Sequence, residues 1–336
     1  MKIGSHEERG KQEEGAVAQV LFKTILDVVS GGFRLFDIVS VGDFCIDSIF
    51  LPNRQTGFTV LGGSVAYASF AARRLDARVS VISTVGADFP AAYKWWLEQE
   101  GVDLSGVTDM KDALTTRFEL RYNSDLSDRT LCSKNRMPPI RIEDLPNPLK
   151  ARVIHLAPIA GEVTYEVAEK LKNYTEIMSL DPQGLVRNFD ENGNVTLKEP
   201  EDRRILGLVD IFKSARREIE TLTGLSDLDS AIKAMHSQGP RIVIVTLGQE
   251  GALVSLENTI HRVPAYKPEK FVDPTGAGDA FIGAFLAEYA RGEDCAWCSQ
   301  VGSAAASLVV EAIGPTSFGD KEEIYRRAHT LAEKRN

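Results

Sequence analysis

The sequence predicts one large α/β domain: a mainly parallel, doubly wound sheet with helices on both faces and a small β-sheet lid. Three observations predict it. Strand-like Val/Ile runs alternate with helical patterns along most of the chain. Those runs are apolar without interruption, as in parallel strands covered on both faces. Two segments break the rhythm with an alternation of polar and apolar residues, which fits strands with one wet face.

The elements follow in order. "FDIVSVG" (36–42) is a continuous apolar run ending in glycine, the first buried strand. "GGSVAYASFAARRL" (62–75) is a helix opened by a diglycine. "RVSVISTVG" (78–86) is a strand and "AAYKWWLEQEG" (91–101) a helix closed by Gly101. Strands are predicted at 151–159, 176–182, 210–214, 241–248 and 251–256, and helices at 166–174, 215–224 and 227–239. The exceptions, "DSIFLPNRQTGFTVL" (47–61) and "TTRFELRYNSDLSDRTLCS" (115–133), are expected to form antiparallel lid strands. "FDENGNVTL" (189–197) reads as a hairpin turning at Asn192–Gly193. Residues 1–34 read as an extension with a polar start and a short amphipathic helix. Lys23 and Asp27 interrupt its apolar run, which disfavours a signal peptide. Residues 35–336 form the domain.

Bulk properties exclude several functions. A net charge of −9 with no basic block argues against nucleic acid or an anionic membrane as partner. No apolar run reaches the ~18–20 residues of a membrane span. Four scattered cysteines point to a reducing cytoplasm rather than a disulfide scaffold. "CAWC" (295–298) has redox spacing but sits inside an Ala-rich helical pattern, without partners for a zinc site.

The stretch most suggestive of chemistry is "VDPTGAGDAFIGAF" (272–285). Gly276 and Gly278 permit a tight turn, and an apolar helix begins directly after. A helix start presents free N–H groups and partial positive charge, so an anion can bind there. Asp279 at its edge has two readings. It caps the helix, or it serves as general base on a hydroxyl facing that anion. A cap alone leaves Asp273, Pro274, Thr275 and the glycines unexplained. No P-loop pattern and no dinucleotide fingerprint after the first strand is present.

"DPTGAGDAF" (273–281) resembles the second signature of the ribokinase-like (PfkB) carbohydrate kinases. "VGDFCID" (41–47), "LGGSVAYAS" (61–69), "TVGADF" (84–89) and "VTLGQEGALV" (245–254) resemble further family segments in the expected order. The likeness covers roughly residues 36–317. It implies a ribokinase-like fold and phosphoryl transfer from ATP with Mg²⁺ to a polyol, sugar or nucleoside. It implies Asp279 as general base, and the N–H groups of Gly276, Ala277 and Gly278 as an anion hole. Asp47 would bind acceptor hydroxyls, with Gly62 and Gly63 at the lid hinge. Thr246, Gly248 and Gly251 would lie along the nucleotide. Asp273 and Thr275 occupy positions that in some members contribute to a K⁺ site. Family lids often meet in homodimers.

Two departures bear on the substrate. The family's N-x-x-E metal motif stands here as "ARRE" (215–218), keeping Glu218 but placing Ala215 at the Asn position. The metal would then be held largely by phosphates and waters. The Asn downstream of the diglycine is replaced by Tyr67. "SLDPQGLVRNFDENGNV" (179–195) and "FKSARRE" (212–218) are similar to segments of myo-inositol kinases. The alternatives are a nucleoside or furanose sugar kinase, or a non-catalytic sugar or nucleotide sensor.

Overall fold

A computed structural model describes residues 35–333 apart from Asn53. The predicted N-terminal extension lies outside the described residues. Among the described residues, Phe36–Pro146 and Ala151–Glu333 form one compact unit, and Leu35 and Asn147–Lys150 fall outside it.

The chain opens with β1 (Leu35–Val41), then β2 (Cys45–Phe50), β3 (Phe58–Gly62) and α1 (Ser64–Arg74). It continues through β4 (Val79–Gly86), α2 (Ala91–Gln99), β5 (Val102–Met110), β6 (Thr116–Tyr122) and β7 (Arg129–Asn135). Next come β8 (Lys150–Leu156), α3 (Tyr165–Lys172), β9 (Thr175–Leu180), the single turn α4 (Gln183–Val186), β10 (Arg187–Phe189) and β11 (Val195–Leu197). After these lie β12 (Ile211–Ala215), α5 (Arg216–Thr223), α6 (Leu228–His236), β13 (Ile242–Thr246), β14 (Ala252–Leu256) and β15 (Thr259–Val263). The chain closes with α7 (Ala277–Tyr289), α8 (Cys295–Val309) and α9 (Lys321–Glu333).

The main sheet has nine strands in the order β15-β14-β13-β12-β9-β8-β1-β4-β5. The pairs β1–β4, β4–β5, β8–β9, β9–β12 and β12–β13 are parallel. The β13–β14–β15 edge is antiparallel. Ile38, Val79, Val81, Ile211 and Ile244 enter one core with α1, α7, α8 and α9. Their neighbours Val39, Ile82, Phe212, Val243 and Val245 are equally buried. Both faces are thus covered, and the uninterrupted apolar runs follow from that.

β5 and β15 were not predicted. Both are edge strands, and their outward residues are polar, so the apolar run that marked the inner strands is missing. The lid is a separate sheet, β3-β2-β6-β7. It is not wholly antiparallel as expected, because β2 pairs with β6 in parallel, from Cys45↔Thr116 to Phe50↔Arg121. β2 follows β1 and β6 follows β5, and β1 and β5 both run parallel to β4, so the two lid strands emerge at the same end of the main sheet. Asp43 marks that root: its buried carboxyl accepts from Thr84 Oγ1 at 3.1 Å and from Thr116 Oγ1 at 2.7 Å.

The predicted hairpin exists, with Arg187↔Leu197 and Phe189↔Val195 in register. Its turn is not a two-residue Asn192–Gly193 turn. Such a turn needs positive φ at both residues, and only Gly193 has it, at 82°. Residues 190–194 form a wider loop, in which Asp190 Oδ1 accepts from the N–H groups of Asn192 and Asn194 at 2.9 and 2.8 Å. "CAWC" lies on α8 as expected, and burial pushes Cys295 up to about 11, away from thiolate chemistry.

Candidate active site

The strand order reverses between β1 and β8, and open α/β sheets bind ligands outside the carboxyl ends of strands at such a point. Here the lid stands over those ends. Beneath it is a cavity lined by Asp47, Gly63, Ser64, Tyr67, Arg129, Gln183, Arg187, Thr275, Gly276 and Asp279, with an apolar side of Phe118, Leu120, Leu131 and Ile159. Its free volume is about 40 Å³, room for only a few waters.

Asp279 is the third residue of α7, whose N-cap is Gly276, and no side chain caps this helix. The capping reading of Asp279 therefore fails. Instead its Oδ1 accepts from Ser64 Oγ at 2.6 Å and from Gln183 Nε2 at 3.0 Å. Both bonds fall on one oxygen, and among the described residues Oδ2 has no hydrogen-bond partner. Gln183 is itself fixed, since its Oε1 accepts from Arg187 Nη2 at 2.6 Å.

Gly276 has φ 77°, and a Cβ there would lie 2.0 Å from the Tyr67 ring, so glycine is required twice over. Of the three expected anion-hole N–H groups, that of Ala277 reaches Pro274 O at 3.3 Å. Among the described residues, those of Gly276 and Gly278 have no backbone partner. Behind Gly278 sits the Lys213 ammonium, 2.7 Å from where a Cβ would be. Lys213 is buried and bonds Asp181 Oδ2 at 2.5 Å. Burial opposes its charge, but Asp181, Asp279 and Glu218 together hold its pKa above the ordinary lysine range.

Asp47 lies on β2 with its carboxylate in the cavity wall. Burial pushes it up to about 6, against the Cys45 hydrogen bond and the Arg129 and Arg187 guanidiniums, which favour ionisation. Gly62 faces it: a Cβ there would sit 2.1 Å from Asp47 Oδ2. Asp273 Oδ1 accepts from Thr275 N at 2.9 Å and Thr275 Oγ1 at 2.5 Å, and its Oδ2 accepts from Gly314 N at 3.1 Å. Thr275 Oγ1 in turn accepts from Tyr122 Oη at 2.8 Å, and Tyr122 accepts from Arg129 Nη1 at 2.6 Å. Four side chains thus tie the lid to the loop before α7.

The other expected residues lie outside the cavity. Glu218 Oε2 accepts from Ala215 N at 2.6 Å, bracing the start of α5. Burial and Asp181 push Glu218 up to about 7. Among the described residues no group of three or more His, Cys, Asp or Glu is placed to hold a metal. Thr246 Oγ1 donates to Ser214 O at 3.3 Å and borders the space around Gly278. Gly251, at φ 92°, is required by its turn, where a Cβ would meet Val263 O at 2.0 Å. Gly248 has φ 58° and open space around it.

Sequence reasoning assigned no role to Ser64, Arg129, Gln183, Arg187 or Lys213. Gln183 and Arg187 stood in the quoted "DPQGLVR", where a buried acid next to a polar side chain at a strand end was the available signal. His155, another buried titratable group near Asp279, is pushed down to about 3 by burial and Lys213, too weak a base to compete.

The model of the pfkB family of carbohydrate kinases matches residues 36–322. The chain belongs to that family. Among relatives of this kinase, the cytidine kinase of Thermococcus kodakarensis is 30% identical over 293 residues, covering 84% of this chain and 99% of that protein. The inositol 3-kinase of Oryza sativa subsp. japonica is 28% identical over 336 residues, covering 96% of this chain and 77% of that protein. A pyrophosphate-dependent kinase of the ribokinase family, solved with a pyrophosphate analog and myo-inositol, superposes with a TM-score of 0.74. It is 22% identical and covers 86% of this chain and 99% of its own. The kinase thus has the ribokinase-like fold, and its relatives act on sugars, polyols and nucleosides. No helix among the described residues is long and apolar enough to cross a membrane.

Proposed function

We propose that this kinase transfers the terminal phosphoryl group of ATP to a hydroxyl of a polyol, with myo-inositol as acceptor and Asp279 as general base. The observation that carries this reading is Asp279 itself. It opens a helix it does not cap, is held through one oxygen, and shares a cavity with Asp47 beside unpaired N–H groups.

The acceptor oxygen attacks the terminal phosphorus. An O–P bond forms, the P–O bond to ADP breaks, and the acceptor proton passes to Asp279 Oδ2. Phosphoryl transfer needs positioning and charge stabilisation more than covalent chemistry. The Gly276 and Gly278 N–H groups face the charge that develops, with Lys213 fixed behind them. Mg²⁺, when bound with the nucleotide, neutralises phosphate charge. Glu218, which accepts from Ala215 N and lies near the Lys213 ammonium, would be the acidic side chain that serves the metal, through water. Asp273 Oδ2 accepts one bond from Gly314 N and keeps capacity for a K⁺ ion.

An ionised Asp47 accepts from two neighbouring hydroxyls, and Arg129 and Arg187 offer donors to others. That pattern suits a polyol. The similarity to a cytidine kinase favours a second reading, a nucleoside acceptor. Four free cysteines support a cytoplasmic location. An ADP-release screen over inositols, sugars and nucleosides tests the proposal, with the highest kcat/KM expected for myo-inositol. A nucleoside preference would replace the acceptor, and ATP binding without turnover of any acceptor would leave a sensor. Gly62→Ala is expected to raise the acceptor KM ~10-fold, because overpacking against the Asp47 carboxylate must displace it. Unchanged acceptor kinetics in that variant would put the Asp47 carboxylate outside the acceptor site.

A further inference from the structure

Cys45 stands two residues before Asp47 on β2, so the two side chains leave the same face of the strand, and both line the cavity. The thiol is buried, and its Sγ–H donates to Asp47 Oδ1 at 3.1 Å. Among the described residues this is the hydrogen bond that the Asp47 carboxylate accepts. Directly across the ladder from Cys45 is Gly62. A Cβ at Gly62 would lie 2.8 Å from Cys45 Sγ and 2.1 Å from Asp47 Oδ2. Thiol, carboxylate and glycine backbone share one tight corner. The carboxylate is held by a donor at Oδ1 and by packing at Oδ2.

The thiol can only donate here. Burial and the Asp47 charge push it well up, so it keeps its proton beside the carboxylate. The other groups facing Asp47 act at longer range. Arg129 of β7 and Arg187 of β10 favour its ionised form, and Asp273, before α7, opposes it. Tyr67 of α1 and Tyr93 of α2 are raised, in part by Asp47, and stay neutral. A hydrogen bond to the ionised form favours that form, and it also fixes the plane of the carboxylate. We propose that Cys45 is a positioning residue whose S–H orients the Asp47 carboxylate toward the acceptor and stabilises its ionised form. This rests on the acceptor-site reading above and adds to it the group that holds the acid.

Cys45→Ala removes the donor, and Cys45→Ser replaces it by a stronger donor of similar size. The titration of Asp47 is read directly by carboxyl ¹³C NMR of the full-length kinase without acceptor, its resonance assigned with Asp47→Asn. The midpoint is expected to rise by roughly 0.5–1 pH unit in Cys45→Ala and to lie at or below wild type in Cys45→Ser. The acid limb of acceptor kcat/KM should move with it. Well above that limb, the acceptor KM should rise a few-fold in Cys45→Ala, recover in Cys45→Ser, and leave the ATP KM unchanged in both. An unmoved midpoint in Cys45→Ala would overturn the proposal, as would equal midpoints in the two variants. A lowered melting temperature with an unmoved midpoint would make Cys45 a packing residue and overturn it as well. A shifted midpoint without a shifted limb sinks the acceptor-site reading and leaves the hold of Cys45 on Asp47 standing.

Discussion

Asp279→Asn lowers kcat by ~10²–10⁴-fold while leaving the fold and ATP affinity intact, the range expected for loss of a positioned general base. The geometry makes this substitution unusually clean. Ser64 Oγ and Gln183 Nε2 both donate to Oδ1, which asparagine retains. The side chain stays in place, and the amide nitrogen replaces the free oxygen. Only the capacity to take a proton is lost. Single-turnover kinetics with ATP and acceptor, beside an ATP-binding titration, measure both halves. Activity within a few-fold of wild type would remove Asp279 as base.

Asp47→Ala raises the acceptor KM ~10- to 100-fold and leaves the ATP KM within a few-fold, because hydrogen bonds to a buried charge are lost. Equal changes in both constants would take Asp47 out of the acceptor site. The same residue sets a pH dependence. Burial holds its carboxyl at about 6, so it is protonated below that pH and ionised above it. The ionised form is the one that accepts from two hydroxyls. The acceptor kcat/KM should therefore fall as pH drops through about 6, and Asp47→Asn should flatten that limb. An unaltered limb in the variant would assign the titration to another group.

How far the sequence could be read depended on whether the determinants are local. The inner strands were legible because burial on both faces forces an apolar run. β5 and β15 were not, because an edge strand satisfies only half of that rule. The parallel pairing of β2 with β6 depends on where two distant segments leave the sheet, which no local pattern records. Asp279 and the glycines were legible as one contiguous stretch. Gln183 and Arg187 meet Asp279 only through the fold, 96 residues separating Gln183 from it in sequence. Arg129 looked like one more charge on a wet lid strand. Glu218 was read as the acid of the metal motif, and its observed bond is the one that braces α5.

The bonded series Arg129–Tyr122–Thr275–Asp273 has a temporal meaning. With it intact, the free volume under the lid is about 40 Å³, too small for a sugar, polyol or nucleoside. Loading must precede latching, and unlatching must precede departure. On the acceptor site proposed above, the series would act as a clock on the cycle, setting how long an acceptor, once admitted, stays committed to the encounter and bulk water stays out.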